Sequence, residues 1–314
     1  MTRTSIKLIG AIAFSLMIAF GANSAFGQDK AEKGTAKAKA ANEKDVPTVH
    51  IVIMDPLSSP LACDCVQGYA QRKYEKLAQH IAKTSGVKVK ITWSESLKTA
   101  KEKLGAVDLV IGKHSVVLHA AKENELEVKP VAQLTNDDGT VHQTGLVVVR
   151  QKDEAVSAAD LIGYRIFFGP KDCEEKHSEP IKFIKEMGGE IPKTIETSEA
   201  CSAAATQLLE LSADVKGAAI ISSYAKPLLE GCGTVKKGDL RVIGETDPVP
   251  FITAFVNSRM DEGLVSNLKM ALLEVGKDES LRKALETKKG FVEFKQEKAA
   301  EKDDDSDSDE EKKN

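Results

Sequence analysis

Arg165-Ile166-Phe167-Phe168-Gly169-Pro170-Lys171-Asp172-Cys173-Glu174-Glu175-Lys176-His177 reads as a buried strand, a tight turn and the start of an amphipathic helix. A strand-turn-helix junction places unpaired backbone N–H groups at the carboxyl end of a strand, where open α/β sheets form their ligand crevices. This one also carries a thiol, carboxylates and an imidazole. Cys63, Cys65 and Cys201 stand at comparable junctions, so the pattern predicts one cleft with unusual chemistry.

Working outward, strands and helices alternate along the chain. Thr48-Val-His-Ile-Val-Ile-Met54 is a short β-branched run ended by Asp55-Pro56, the mark of a buried strand. Periodicity and caps then predict a helix over 67–84 closed by Gly86, a strand over 87–93, a helix capped by Ser96, a strand over 109–111 and a helix over 115–123. Strands over 128–134 and 144–149 flank the turn Asn136-Asp137-Asp138-Gly139 and carry the chain out of a first lobe. Beyond them come helices over 157–161, 174–187, 198–211 and 224–230, with strands over 165–168, 218–222 and 240–244. A strand over 252–256 returns the chain, and helices over 261–275 and 279–287 end it. The expected fold is α/β, with mainly parallel sheets covered by helices on both faces. Two lobes, 46–149 with 250–294 and 150–249, would be joined by a two-strand hinge with ligand between them.

The ends read differently. Arg3 and Lys7 precede an apolar run from Leu8 to Phe20, and Ala25-Phe26-Gly27 offers a small-residue cleavage site, so 1–27 is expected to be a cleaved signal peptide that exports the chain to the periplasm. The run of about 13 residues is short of the roughly 20 needed to span a bilayer, so no stable membrane insertion is expected. Residues 28–45 collapse to Lys, Ala, Glu and Gly, a disordered linker, and 295–314 form a disordered acidic tail. That tail holds nine acidic residues against five lysines, an excess equal to the formal net charge of −4, so no basic face argues for nucleic acid.

Three segments carry a resemblance. Ser157-Ala-Ala-Asp160-Leu-Ile-Gly163-Tyr-Arg-Ile166 followed by Gly169-Pro170, Ile220-Ile-Ser222-Ser-Tyr224, and Leu240-Arg-Val-Ile-Gly-Glu-Thr-Asp-Pro248-Val-Pro250 resemble the periplasmic phosphate and phosphonate solute-binding proteins of ABC transporters. The likeness implies a two-lobed, hinge-closing periplasmic-binding-protein fold of the type II kind with no catalytic machinery. It implies an oxyanion held by hydroxyls and helix-start amides, matched here by Ser115, Ser222, Ser223 and Tyr224, with Ser58 and Tyr69 as polar and aromatic lining. The full expected ligand set is Ser58, Tyr69, Lys113, His114, Ser115, Thr144, Asp172, Cys173, Glu174, Glu175, Ser222, Ser223 and Tyr224. The departure is at Asp172, Glu174 and Glu175, where such proteins commonly place Ser and Thr. An ionised carboxylate beside an anion costs free energy unless a cation intervenes.

Five cysteines follow the leader: Cys63, Cys65, Cys173, Cys201 and Cys232. In an oxidising compartment two disulfides with one thiol left over are the plain structural expectation. The other is a soft metal ion, copper or zinc, on Cys63, Cys65, Cys173 and His177, the last two sharing a face if a helix begins by residue 173. Two functions from different classes follow. One is a solute-binding protein closing on a small polar ligand, an oxyanion or phosphonate-like compound, for an ABC-type importer and its permease. The other is a cysteine-rich periplasmic accessory protein of metal or redox metabolism, a helper of a quinoprotein dehydrogenase. No Gly-x-Ser-x-Gly, His-Glu-x-x-His, phosphate loop or Gly-x-Gly-x-x-Gly argues for an enzyme.

Overall fold

The computed structural model describes residues 46–63 and 68–295. The expected signal peptide and linker, Cys65 and the expected tail from Gln296 onward lie outside the described residues.

The chain runs β1 (Thr48–Met54), α1 (Tyr74–Ser85), β2 (Lys88–Trp93), α2 (Leu97–Leu104), β3 (Leu109–Lys113), α3 (His114–Glu123) and β4 (Val128–Leu134). It then crosses through β5 (His142–Gln143) into β6 (Gly145–Arg150), β7 (Arg165–Phe168), α4 (Ser178–Glu186), β8 (Glu196–Thr197), α5 (Cys201–Glu210), β9 (Gly217–Ser222), α6 (Ala225–Gly231) and β10 (Leu240–Glu245). It returns through β11 (Val249–Pro250) to β12 (Ile252–Asn257), α7 (Glu262–Glu274), α8 (Glu279–Ala284) and β13 (Phe291–Glu293). One lobe is built on a six-stranded sheet ordered β13-β4-β12-β3-β1-β2, the other on a five-stranded sheet ordered β10-β6-β9-β7-β8. The two crossings pair with each other as the small antiparallel sheet β5-β11, Gln143 opposite Val249 and His142 opposite Pro250.

Side-chain alternation explains why each sheet carries helices on both faces. Along β1, Val49, Ile51 and Ile53 face the cluster with Leu77 and Ile81 of α1, while Val52 and Met54 face Leu97 and Ala100 of α2. In the second lobe Phe167, Ala219 and Ile221 pack on α5, and Ile166, Phe168 and Ile220 on Ile184 of α4.

Two expectations are corrected. The sheets are mixed rather than mainly parallel: β1, β2 and β3 are parallel, as are β7, β8 and β9, but β12 is antiparallel to β3 and β4, and β6 to β9 and β10. The crossings force this. β4 and β10 leave their sheets at the ends facing the other lobe, so β6 and β12 enter from those ends and run the opposite way. The helix expected over 174–187 is instead a 3-10 turn, Glu174–Lys176, followed by α4, with a break at His177 (φ −126°, ψ −77°). A continuous helix would place Pro180 in its interior, its ring against the carbonyl of Lys176; restarting at Ser178 puts the proline in a first turn, where it is tolerated. The helix expected over 67–84 likewise begins only at Tyr74, because Arg72 is held in an isolated bridge to Ser58.

That bridge closes over a buried charge. Asp55, wholly buried at the end of β1, accepts from Arg72 Nη1 at 3.0 Å, from the Tyr74 hydroxyl at 2.6 Å and from the Leu57 N–H at 2.8 Å. Arg72 also lies over the Phe251 ring, 5.6 Å from its centroid. Breaking a buried pair strands the surviving charge, so Asp55→Ala should destabilise the protein by about 3–5 kcal/mol in denaturant unfolding. A change under about 1 kcal/mol would show that Arg72 finds water instead.

Candidate functional site

The carboxyl ends of β1, β3, β7 and β9 converge between the lobes on a cavity of about 440 Å³. Met54, Leu57, Val116 and Leu228 give it apolar walls; Lys113, Asp172, Cys173, Lys176, Cys201 and Tyr224 supply its chemistry. At its floor Lys113, the last residue of β3, directs its ammonium to Glu175 Oε1 and, at 2.8 Å, to the Cys173 sulfur. Glu175 is wholly buried and also accepts from the Ser222 hydroxyl at 2.7 Å; the Cys173 thiol lies 3.2 Å from each carboxylate oxygen.

These contacts set the protonation states. Burial opposes charge on both partners, yet the pair holds Glu175 below the usual carboxylate range and Lys113 well above the usual ammonium range. Burial pushes the Cys173 thiol up to about 12, with Lys113 pulling down and Glu175 pushing up, so it is a thiol at neutral pH. Burial also raises Tyr224, whose ring stacks on Phe251 at 5.1 Å. Glu174, half-buried, is raised by burial and by Glu179 and Glu175.

The other expected residues divide by place. The Ser115 hydroxyl, at the start of α3, donates to the Asp172 carbonyl at 2.8 Å and accepts from the Glu174 N–H at 3.2 Å, which ties the first lobe to the junction loop of the second. Ser223 and Thr144 clamp each other, the Ser223 N–H to the Thr144 carbonyl at 2.9 Å and the Thr144 N–H to the Ser223 hydroxyl at 3.2 Å. Ser223 and Tyr69, 55% exposed, line a separate recess beyond Tyr224 and Leu228 on the hinge side. Ser58 is buried and donates to the Asp55 carbonyl, holding a turn. His114 faces β12, its Nδ1 3.1 Å from the Thr253 hydroxyl and its ring stacked on Phe294, and burial lowers its pKa.

Cys173 and His177 do not share a helical face. The 3-10 turn sends Cys173 to Lys113 and Glu175, while His177 Nδ1 lies 2.8 Å from the Gly169 carbonyl and its ring meets the edge of Phe168. Among the described residues no three His, Cys, Asp or Glu side chains are grouped to hold a metal ion. Among the described residues no disulfide forms, against that expectation: Cys63, Cys173, Cys201 and Cys232 are free, while Cys65, a member of the expected metal set, lies outside them. They are dispersed over separate elements, and Cys201 meets Ser222 while Cys232 meets Thr234.

Lys176, Cys201 and Glu199 line the cavity and were not in the expected ligand set. Cys201, the first residue of α5, stands at the cleft where its strand-loop-helix junction had placed it, although it was not counted among the ligands. Lys176 is 6% exposed, with one long bond of 3.5 Å to the Glu199 carbonyl.

Residues 67–301 match the profile of the family described as ABC transporter, phosphonate, periplasmic substrate-binding protein. The chain belongs to that family. Its members are substrate-binding proteins of transporters rather than enzymes, and the strand order and hinge described above are those of a two-lobed periplasmic binding protein. Among solved structures, PhnD1 from Prochlorococcus marinus in complex with methylphosphonate is 17% identical at a TM-score of 0.58, with 79% of this chain and 92% of that one covered. A binding-protein component of an ABC phosphonate transporter from Pseudomonas aeruginosa is 15% identical at 0.59, covering 80% and 82%. XAC2383 from Xanthomonas citri bound to ATP is 14% identical at 0.59, covering 79% and 91%. Likeness at these identities speaks for the fold alone. No curated protein matches the chain significantly. Among the described residues no helix is long and apolar enough to cross a membrane.

Two measurements check the site. Alkylation of the folded protein should modify the exposed Cys63 well before Cys173, and equal rates would overturn the buried, protonated thiol. Because the Glu175 pKa is depressed on folding, its stabilisation is present above the ordinary glutamate range and lost as pH falls through the folded value. The Tm difference between wild type and Glu175→Gln should therefore be largest near neutral pH and shrink in acid; a gap that widens in acid would reverse the assignment.

Proposed function

We propose that the chain is the exported substrate-binding subunit of an ABC-type importer and captures a small polar organic solute between its lobes, a phosphonate-like compound or related oxyanion carrying an apolar body. The cavity carries this reading. About 440 Å³ is within the ordinary range for small-molecule sites, and walls drawn from both lobes let a solute stabilise the closed arrangement by differential affinity. The acid group fits beside the buried Lys176 ammonium and the first turn of α5, whose N-cap Ala200 supplies no side-chain cap. Met54, Leu57, Val116 and Leu228 suit the body. The family and the expected leader support delivery to a permease and a periplasmic location.

A second reading is favoured by one observation: the free thiols Cys63, Cys173 and Cys201 all line this cavity. That suits an accessory protein in periplasmic copper, zinc or thiol metabolism, partnered with a dehydrogenase rather than a permease.

A thermal-shift screen separates the two. A matching organophosphonate at about 100 times its Kd should add about 2.7 kcal/mol, a Tm rise on the order of 5–10 °C, and Lys176→Met should abolish the gain. Failure of every organic oxyanion to raise Tm, with stoichiometric copper or zinc on the native protein, would transfer the assignment to the accessory role.

A further inference from the structure

The floor of the cavity is already filled. Lys113 belongs to the six-stranded sheet, whereas Glu175 and Ser222 belong to the other lobe, so the ion pair bridges the two bodies that a solute would draw together. An ammonium, a hydroxyl and a thiol converge on the Glu175 carboxylate. Ammonium and hydroxyl donors are the groups an oxyanion would need at that place. Glycines seat the segment that carries Glu175 closely: a Cβ on Gly145 would collide with the Glu175 backbone carbonyl, and one on Gly169 with the stem of Lys176. The Ser115 clamp to Asp172 and Glu174 adds a second tie between the same two segments. An anion brought to Lys113 would lie against the Glu175 carboxylate, whose charge already engages the Lys113 ammonium and the nearby Lys176, so the newcomer meets a repulsion that the two lysines only partly offset.

We infer that Glu175 is a built-in occupant of the oxyanion position and a specificity-determining residue of the cleft. Its carboxylate holds the lobes together without solute, and it excludes phosphate and simple phosphonates from Lys113 and Ser222. The solute is left the adjoining space beside Lys176, where an acid group must be accompanied by a body large enough to use the apolar walls. The inference rests on the solute-binding reading of the cleft but is tested apart from it.

The probe is methylphosphonate, too small to use those walls. Solution scattering of ligand-free wild-type protein should match the structure in which Lys113 and Glu175 bridge the lobes, and stay unchanged when millimolar methylphosphonate is added, with no heat in calorimetry. Glu175→Ser should scatter as a more open particle, bind methylphosphonate about tenfold or more tighter than wild type, and compact on binding it. Glu175→Gln, closer in shape, should open without gaining as much affinity. Wild-type protein that is open when ligand-free, or that binds methylphosphonate and compacts on it, overturns the proposal, as does a folded Glu175→Ser that ignores it. The wild-type measurements decide the matter even if the variants do not fold. A failed search for the natural solute would sink the import reading and leave the Glu175→Ser result standing.

Discussion

An ammonium and a carboxylate withdrawn from water face each other between the lobes, and the arrangement of the cleft follows from the need to compensate them. Desolvating both groups is costly, and attraction between them recovers that cost only when further hydrogen bonds satisfy the remaining lone pairs. Ser222 and Cys173 provide those bonds. The tight turn after β7, the glycines that admit it and the break before α4 all serve to deliver Glu175 to this spot. Burial at the same spot, reinforced by the neighbouring carboxylate and opposed by Lys113, keeps the Cys173 proton on sulfur.

Most of the scaffold was legible in the residues. β-branched runs such as Thr48–Met54 and the glycine-capped helices have a local signature that packing reinforces. Strand direction was not legible, because it depends on which end of the sheet the chain enters after a crossing, a property of the whole path. The break at His177 was within reach: Pro180 already forbade a helix that started at Glu174.

The site was half legible. The carboxylates of Asp172, Glu174 and Glu175 were recognisable as a conflict with an anionic ligand, and Lys113 as a charge aimed at the cleft. That the two features cancel each other across 62 positions of sequence is a tertiary fact with no local trace. Ser58 and His114 matched a ligand pattern by position, yet each faces its own lobe, because a hydroxyl or imidazole at a strand end satisfies a neighbouring turn or strand equally well. Lys176 escaped notice as one lysine among many; only its burial distinguishes it.

The two chain crossings are unequal in a way that bears on mechanics. The returning leg reads Pro248-Val249-Pro250, so two of its three residues have φ fixed by their rings, while the outgoing leg, His142-Gln143-Thr144, has no such restraint. Paired as β5 and β11, they form a stiff rod beside a compliant one. Torsion between the lobes must then be taken up chiefly by the outgoing leg, about an axis lying near the proline leg. The lobes would part by swinging from one edge, as a book opens along its spine, rather than by sliding past each other.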